Sequence, residues 1–150
     1  MTAADRPALA DLVHRYAAAV DDRRFDDAGA LFAQDAALVV PDPPGRLEPV
    51  IVHRGRPAIR HAVAAVAAVE RTEHAIVGEV YTAAGPATAR GRVTCVAHHW
   101  STTGEQASDL VWHLRYDDEY VRDGQTWMFS RRSLTINAIE TRPVRRLRPG

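Results

Sequence analysis

Three polar side chains fall where the apolar pattern of this chain places a core. His99 shares an alternating face with Val93, Cys95 and Ala97; Asp118 is in phase with Leu110, Trp112, Leu114 and Tyr116; Arg132 lies between Met128 and Leu134. Buried charge is costly unless it is paired. Two more polar residues stand at element ends: Asp21 directly after an apolar helical stripe, and His74 at the start of an alternating stretch. A carboxylate at a helix C-terminus faces the negative end of the macrodipole, so Asp21 is poorly placed for helix stability. Together these residues point to a polar group inside an apolar cavity. Their types suit proton transfer. A neutral imidazole near pH 7 is a competent general base, and a phenol, a second imidazole or a guanidinium can stabilise an enolate or a leaving group in a dry pocket. On spacing alone, Asp21, Asp22, Arg23 and Arg24 also read as a solvated turn, and His74 as simply the first residue of a strand.

The elements that position these residues are legible from periodicity. Leu9, Leu12, Val13, Tyr16 and Val20 make one apolar stripe and predict a helix over residues 6–20, with Asp5 as N-cap and Pro7 in the first turn. Residues 26–34 read as a short second helix with Ala28, Leu31 and Phe32 inward, followed by strand-like residues 37–40. The stretch PDPPGRLEP is a loop by composition, and PVIVH a short strand. Gly55-Arg56-Pro57 opens a third helix whose buried face is Ile59, Val63 and Val66. Long strands follow. His74, Ile76, Gly78 and Val80 share one side of the first; residues 87–100 and 107–122 form the next two. Asp123-Gly124 signals a hairpin into residues 126–139, with Met128, Arg132, Leu134 and Ile136 on one face and Trp127, Phe129, Arg131 and Ser133 on the other.

Composition bounds the answer. One domain with a sizeable core suits 150 residues, and 46% hydrophobic and 25% charged residues are ordinary globular values. Nineteen basic residues balance nineteen acidic ones, which argues against nucleic acid as a partner. Residues 141–150 read as a basic tail, solvated or lid-forming. The single cysteine, Cys95, excludes an internal disulfide and reads as core. No signal peptide or membrane span is visible, so the expectation is a cytoplasmic protein with no membrane partner.

Helices first and a strand meander afterwards mean α+β. Strands of that length must curl, and a curled sheet capped by helices encloses a pocket. The order helix, helix, strand pair, helix, long meander resembles the nuclear-transport-factor-2-like fold of the SnoaL-like proteins, over residues 8–140. That resemblance implies a single domain over residues 1–150: three N-terminal helices packed on a strongly curved antiparallel sheet in the shape of a cone.

The segment from Thr72 to Gly78, TEHAIVG, resembles the one that carries the first catalytic histidine of scytalone dehydratases. His99 then falls on their second catalytic histidine and Asp21 on their catalytic aspartate. The stretch from Tyr116 to Arg132 is similar to the last strands of lindane dehydrochlorinases, which pair an aspartate and a histidine as base. Asp21 and His74 match that pair, and Arg132 matches their catalytic arginine. Tyr16 falls on the oxyanion-binding tyrosine of ketosteroid isomerases, and Asp118 near their protonated aspartic acid. Val20 and Val40 stand where scytalone dehydratases have two water-holding tyrosines, and Val40 also replaces the general base of ketosteroid isomerases.

The resemblance implies Asp21, His74, His99 and Arg132 as catalytic residues, with Tyr16, Val40, Trp112 and Asp118 contacting substrate. The activity implied is a cofactor-independent, metal-free lyase or isomerase, dehydratase-like, acting on a small, mostly apolar molecule. Proton abstraction would accompany loss of water, loss of halide or double-bond migration. Other readings stand beside it. A noncatalytic binding or assembly module would fill the cone or leave Asp21 and His74 unconnected. A cyclase or epoxide hydrolase would need carboxylates that hold a water. Arg132 divides between catalysis and an ion pair with Asp118, and Tyr16 also reads as a core tyrosine. His98 points away from His99, to the surface. His14, His53, His61 and His113 are incidental, and no histidine spacing matches a zinc frame. Aromatic and apolar groups on both sheet faces, with Arg92, His98, Trp100, Trp127 and Phe129 taken as outward, imply a homo-oligomer, dimer or trimer.

Overall fold

The computed structural model describes residues 1–150. Two helices, α1 (Asp5–Asp21) and α2 (Phe25–Ala30), precede the strand pair β1 (Phe32–Asp42) and β2 (Arg46–Arg54). Helix α3 (Arg56–Val63) runs on into a 3-10 segment, Ala64–Ala68. The long strands β3 (Arg71–Gly85), β4 (Thr88–Thr103), β5 (Gln106–Asp123) and β6 (Thr126–Val144) complete the chain. No helix is long and apolar enough to cross a membrane.

The stripe on α1 is buried as its period requires, with Leu9, Leu12, Val13, Tyr16 and Val20 all inside. Asp5 is not the N-cap; Ala4 holds that place. Asp5 is the first helical residue, and its carboxylate accepts the Thr2 backbone N–H at 2.5 Å, the Trp127 indole N–H at 3.0 Å and Arg122 at 3.1 Å. A partner across the fold outweighs the local cap. At the other end α1 closes in a Schellman arrangement: Arg24 N–H bonds Ala19 O at 2.8 Å and Arg23 N–H bonds Val20 O at 3.1 Å. The left-handed residue of that motif is Arg23, with φ of 61°.

Helix α2 is shorter than its apolar spacing predicts. Phe32 pairs in register with Phe129, and Phe129 N–H bonds Leu31 O at 3.0 Å, so β6 draws this stretch into the sheet. The proline-rich stretch is mostly strand for the same reason: Asp42 pairs with Arg46, leaving a turn at Pro43–Gly45. Gly55, with φ of 84°, turns the chain into α3, where Ile59 and Val63 are buried and Val66 is half-buried in the 3-10 segment.

The six strands form one strongly curved, unclosed sheet in the order β2-β1-β6-β5-β4-β3. It is mixed rather than wholly antiparallel as expected, because β1 pairs with β6 in parallel; the other four pairings are antiparallel. The three helices pack against it, enclosing a core that runs from Leu9 and Tyr16 to Leu134 and Ile136.

Two of the bulges in the long strands move residues to the face opposite the one their spacing suggests. In β3, Ile76 pairs with Cys95 and Gly78 with Thr94, so Val77 is an extra residue. Val80 is therefore 60% exposed rather than on the face of His74, and Tyr81 turns inward. In β6, Ser130 is extra between Phe129 and Arg131. Trp127 and Phe129 are consequently buried on the inner side with Arg132, Leu134 and Ile136, not on the outer face as their spacing suggests. β6 also continues to Val144, paired with Ala107, so the first residues of the supposed tail are strand.

Candidate active site

A cavity of about 330 Å³ lies between α1, β1, the α3 and 3-10 segment, and the inner face of β4, β5 and β6. Fourteen of its seventeen lining residues are hydrophobic, and none is Asp, Glu, Lys or Arg. That lining suits an uncharged ligand. Val40 and Trp112 are in the wall, as are Tyr16 and Tyr116; the two imidazoles are His74 and His99.

The exit of α1 meets the start of β3 beside this cavity. Asp21 Oδ1 lies 2.6 Å from His74 Nδ1, and Oδ2 accepts the backbone N–H of His74 at 2.8 Å. The hydroxyl of Thr72 donates to Oδ1 at 3.0 Å. An ionised carboxylate only accepts hydrogen bonds. The ring proton of neutral His74 therefore sits on Nδ1, and Nε2 keeps its lone pair. Asp21 and His74 are only 20% and 9% exposed, so water competes weakly for the pair.

His99 sits on β4 with its ring 6.3 Å from that of His74 and 4.6 Å from Trp112. Its Nδ1 donates to Leu110 O at 2.8 Å, which leaves Nε2 free here too. Burial pushes the His99 pKa down, against the raising influence of the Leu110 carbonyl, and nearby His74 lowers it further. His99 is thus neutral near pH 7. Burial raises the Tyr16 phenol to about 12 despite Arg132 nearby, so it stays a donor.

Asp118 and Arg132 are brought together, but not into the cavity. Arg132 Nε bonds Asp118 Oδ1 at 2.9 Å and Nη2 bonds Oδ2 at 3.0 Å, with both side chains fully buried. Tyr120 donates its hydroxyl to Oδ2 at 2.8 Å. The guanidinium lies 3.7 Å from the Tyr116 ring centre and 4.5 Å from those of Tyr16 and Phe129. Tyr16 and Tyr116 line the cavity, so the ion pair sits behind an aromatic wall. The expectation that Asp118 contacts substrate does not hold: its side chain is sealed off. Gly91 makes room for this packing, since a Cβ there would stand 2.5 Å from the Tyr120 hydroxyl.

The other titratable groups lie outside the cavity lining, although Asp109 accepts the backbone N–H of His99 at 3.2 Å. His98 is half-buried rather than free on the surface: it pairs with Asp109 at 2.6 Å and stacks on Trp100. His14 pairs with Glu79 and His113 with Glu140. Cys95 is buried, and burial raises its thiol to about 12. No three His, Cys, Asp or Glu side chains are grouped to hold a metal ion. Sequence reasoning missed Thr72, although it shares the strand phase of His74, and missed Ala65 and Val69, in and just after the 3-10 segment that breaks the helical period; Val66, expected on the buried face of α3, lines the cavity with them.

The chain belongs to the SnoaL-like domain family, which it matches over residues 1–133. No curated protein matches it in sequence. Among solved structures it is similar to a proposed scytalone dehydratase from Novosphingobium aromaticivorans, at 20% identity and a TM-score of 0.78, covering 97% of this chain and 93% of that one. It is similar to the hexachlorocyclohexane dehydrochlorinase LinA-type3 from Novosphingobium barchaimii, at 19% identity and a TM-score of 0.75, covering 96% and 92%. The Kfla4162 protein from Kribbella flavida shares 25% identity at a TM-score of 0.75, covering 91% and 93%.

Proposed function

We propose that this chain is a cofactor-independent lyase or isomerase that uses Asp21 and His74 as a general base on a small, uncharged, mostly apolar substrate. The observation that carries the reading is the 2.6 Å Asp21–His74 contact at the wall of an apolar cavity, with His99 nearby. Nε2 of His74 takes a proton from a substrate carbon, and the C–H electron pair becomes a new double bond. In an elimination, a hydroxyl or halide on the neighbouring carbon departs with its own electron pair. A departing hydroxyl takes the imidazolium proton and leaves as water. In an isomerisation the proton returns to a different carbon. Asp21 stabilises the imidazolium that forms in between. Tyr16 donates to a developing enolate oxygen, and neutral His99 accepts a hydrogen bond from a substrate hydroxyl. Val40 and Trp112 supply apolar contact. Arg132 supports the aromatic wall from behind.

The names of two structural relatives, a dehydratase and a dehydrochlorinase, fit proton removal coupled to loss of a leaving group. Against a purely noncatalytic module stands the open cavity with a connected Asp21–His74 pair. Against epoxide hydrolysis stands the lining itself, which has no carboxylate to hold a water. A homo-oligomer, dimer or trimer, belongs to the proposal on a narrower basis than the spacing offered: Val77 and Val80 are 61% and 60% exposed on β3.

The test is turnover, or carbon–deuterium exchange in heavy water, across a panel of uncharged carbonyl compounds, alcohols and halides. His74→Ala should cost about a hundred- to ten-thousand-fold in rate with little change in stability. Asp21→Asn should be nearly as harmful, because the amide cannot stabilise an imidazolium. Full activity in both variants on a genuine substrate would refute the reading.

A further inference from the structure

Arg23 occupies a position that its own backbone disfavours. It is the left-handed residue that closes α1, where glycine is the usual choice, with φ of 61°. Its guanidinium does not turn to solvent. Nη1 bonds the Thr72 hydroxyl oxygen at 2.8 Å and Nη2 bonds Val69 O at 3.1 Å, across to the segment that leads into β3. Thr72 is 4% exposed and its hydroxyl lies 3.0 Å from Asp21 Oδ1.

The hydroxyl has one proton to give. Arginine has no acceptor, so Arg23 can only donate to Thr72 Oγ1. The single Thr72 proton is then directed to Asp21, whose carboxylate only accepts. The direction of every bond follows: Arg23 to Thr72, Thr72 to Asp21, and His74 Nδ1–H to Asp21. With the backbone N–H of His74 on Oδ2, the carboxylate is held from three sides. Without Arg23 the Thr72 hydroxyl is free to rotate to another acceptor, and Oδ1 loses the donor that fixes its place.

We infer that Arg23 is a positioning residue for the Asp21–His74 pair, acting through Thr72 to orient the carboxylate; this rests on the general-base reading above. It also gives a reason for arginine at a left-handed position.

The test uses Arg23→Gly in the full chain. Glycine accepts the left-handed backbone, so the variant should keep a Tm equal to or above the parent's. The readout is the downfield Nδ1–H resonance of His74 in proton NMR, assigned by its absence in His74→Ala. The parent should show it; Arg23→Gly and Thr72→Val should lose or broaden it; Arg23→Lys, which keeps one donor, should restore part of it. An unchanged resonance in Arg23→Gly overturns the inference and leaves the pair intact. A lowered Tm in Arg23→Gly also overturns it, because the residue would then be a structural brace. Absence of the resonance in the parent removes the Asp21–His74 pairing itself, and the inference with it.

Discussion

Replacing Arg132 by methionine separates a structural arginine from a chemical one. Asp118 accepts two hydrogen bonds from Arg132 and one from Tyr120, and its carboxylate has no contact with water. Arg132→Met removes two of the three and leaves a buried anion without a counter-charge. Breaking a buried pair from one side costs about 3–5 kcal/mol. The methionine stem keeps part of the packing on Tyr16, Tyr116 and Phe129 but none of the attraction of a cation for those rings. For a chain of this size the loss corresponds to a fall in Tm of about 6–20 °C. Thermal and urea unfolding followed by circular dichroism measure it. The companion variant Asp118→Leu should be destabilised as well, whereas the double variant should lie closer to the parent than either single one, since no unpaired charge remains. A Tm within about 2 °C of the parent in Arg132→Met, together with lost turnover, would refute the reasoning and return Arg132 to the chemistry.

Stability should decline in two stages on acidification. Native His99 resists protonation while the unfolded chain takes a proton near 6.5, so its contribution is complete above that pH and drains away below it. Asp5, held at about 2 by Thr2 and Trp127 against an ordinary 3.8, contributes above 3.8 and loses that contribution as pH falls towards 2. Urea midpoints across this range measure both, and His99→Leu should flatten the upper stage; a parent profile with no slope just below 6.5 would count against the buried neutral imidazole. Sedimentation velocity should find an oligomer that Val77→Glu or Val80→Glu dissociates, and a parent that is monomeric at micromolar concentration would remove the outer face of β3 as an interface.

The helical stripe on α1, the inner face of Val93, Cys95, Ala97 and His99, and the hairpin at Asp123-Gly124 were all legible, because each rests on local period or turn chemistry. The bulges at Val77 and Ser130 were not. A bulge costs one residue of phase and leaves no mark in the pattern on either side, so Val80, Trp127 and Phe129 were read onto the wrong faces. The end of α2 and the cap of α1 failed for a different reason: Phe32 and Asp5 find partners in β6, far along the chain, and those outweigh the local signal. At the site, residue types made Asp21, His74 and His99 candidates, and the family resemblance singled them out. The burial of Asp118 and Arg132 could be read as cost, but not as distance from the cavity. Arg23 looked like a solvated turn because its charge is conspicuous in sequence and its backbone angle is not.

The parallel pairing of β1 with β6 also governs how the protein comes into being. During synthesis α1, α2 and β1 leave the ribosome before β6, the strand that pairs with β1 in parallel. Until then Tyr16 and Phe32, whose rings meet Phe129 of β6, lack that cover. Contacts this distant along the chain place folding among the slower topologies and expose such intermediates to aggregation. The cavity, lined by residues from Tyr16 of α1 to Leu134 of β6, is complete only once β6 has been made. A chain broken before β6 would therefore lack both the partner of β1 and part of the cavity wall.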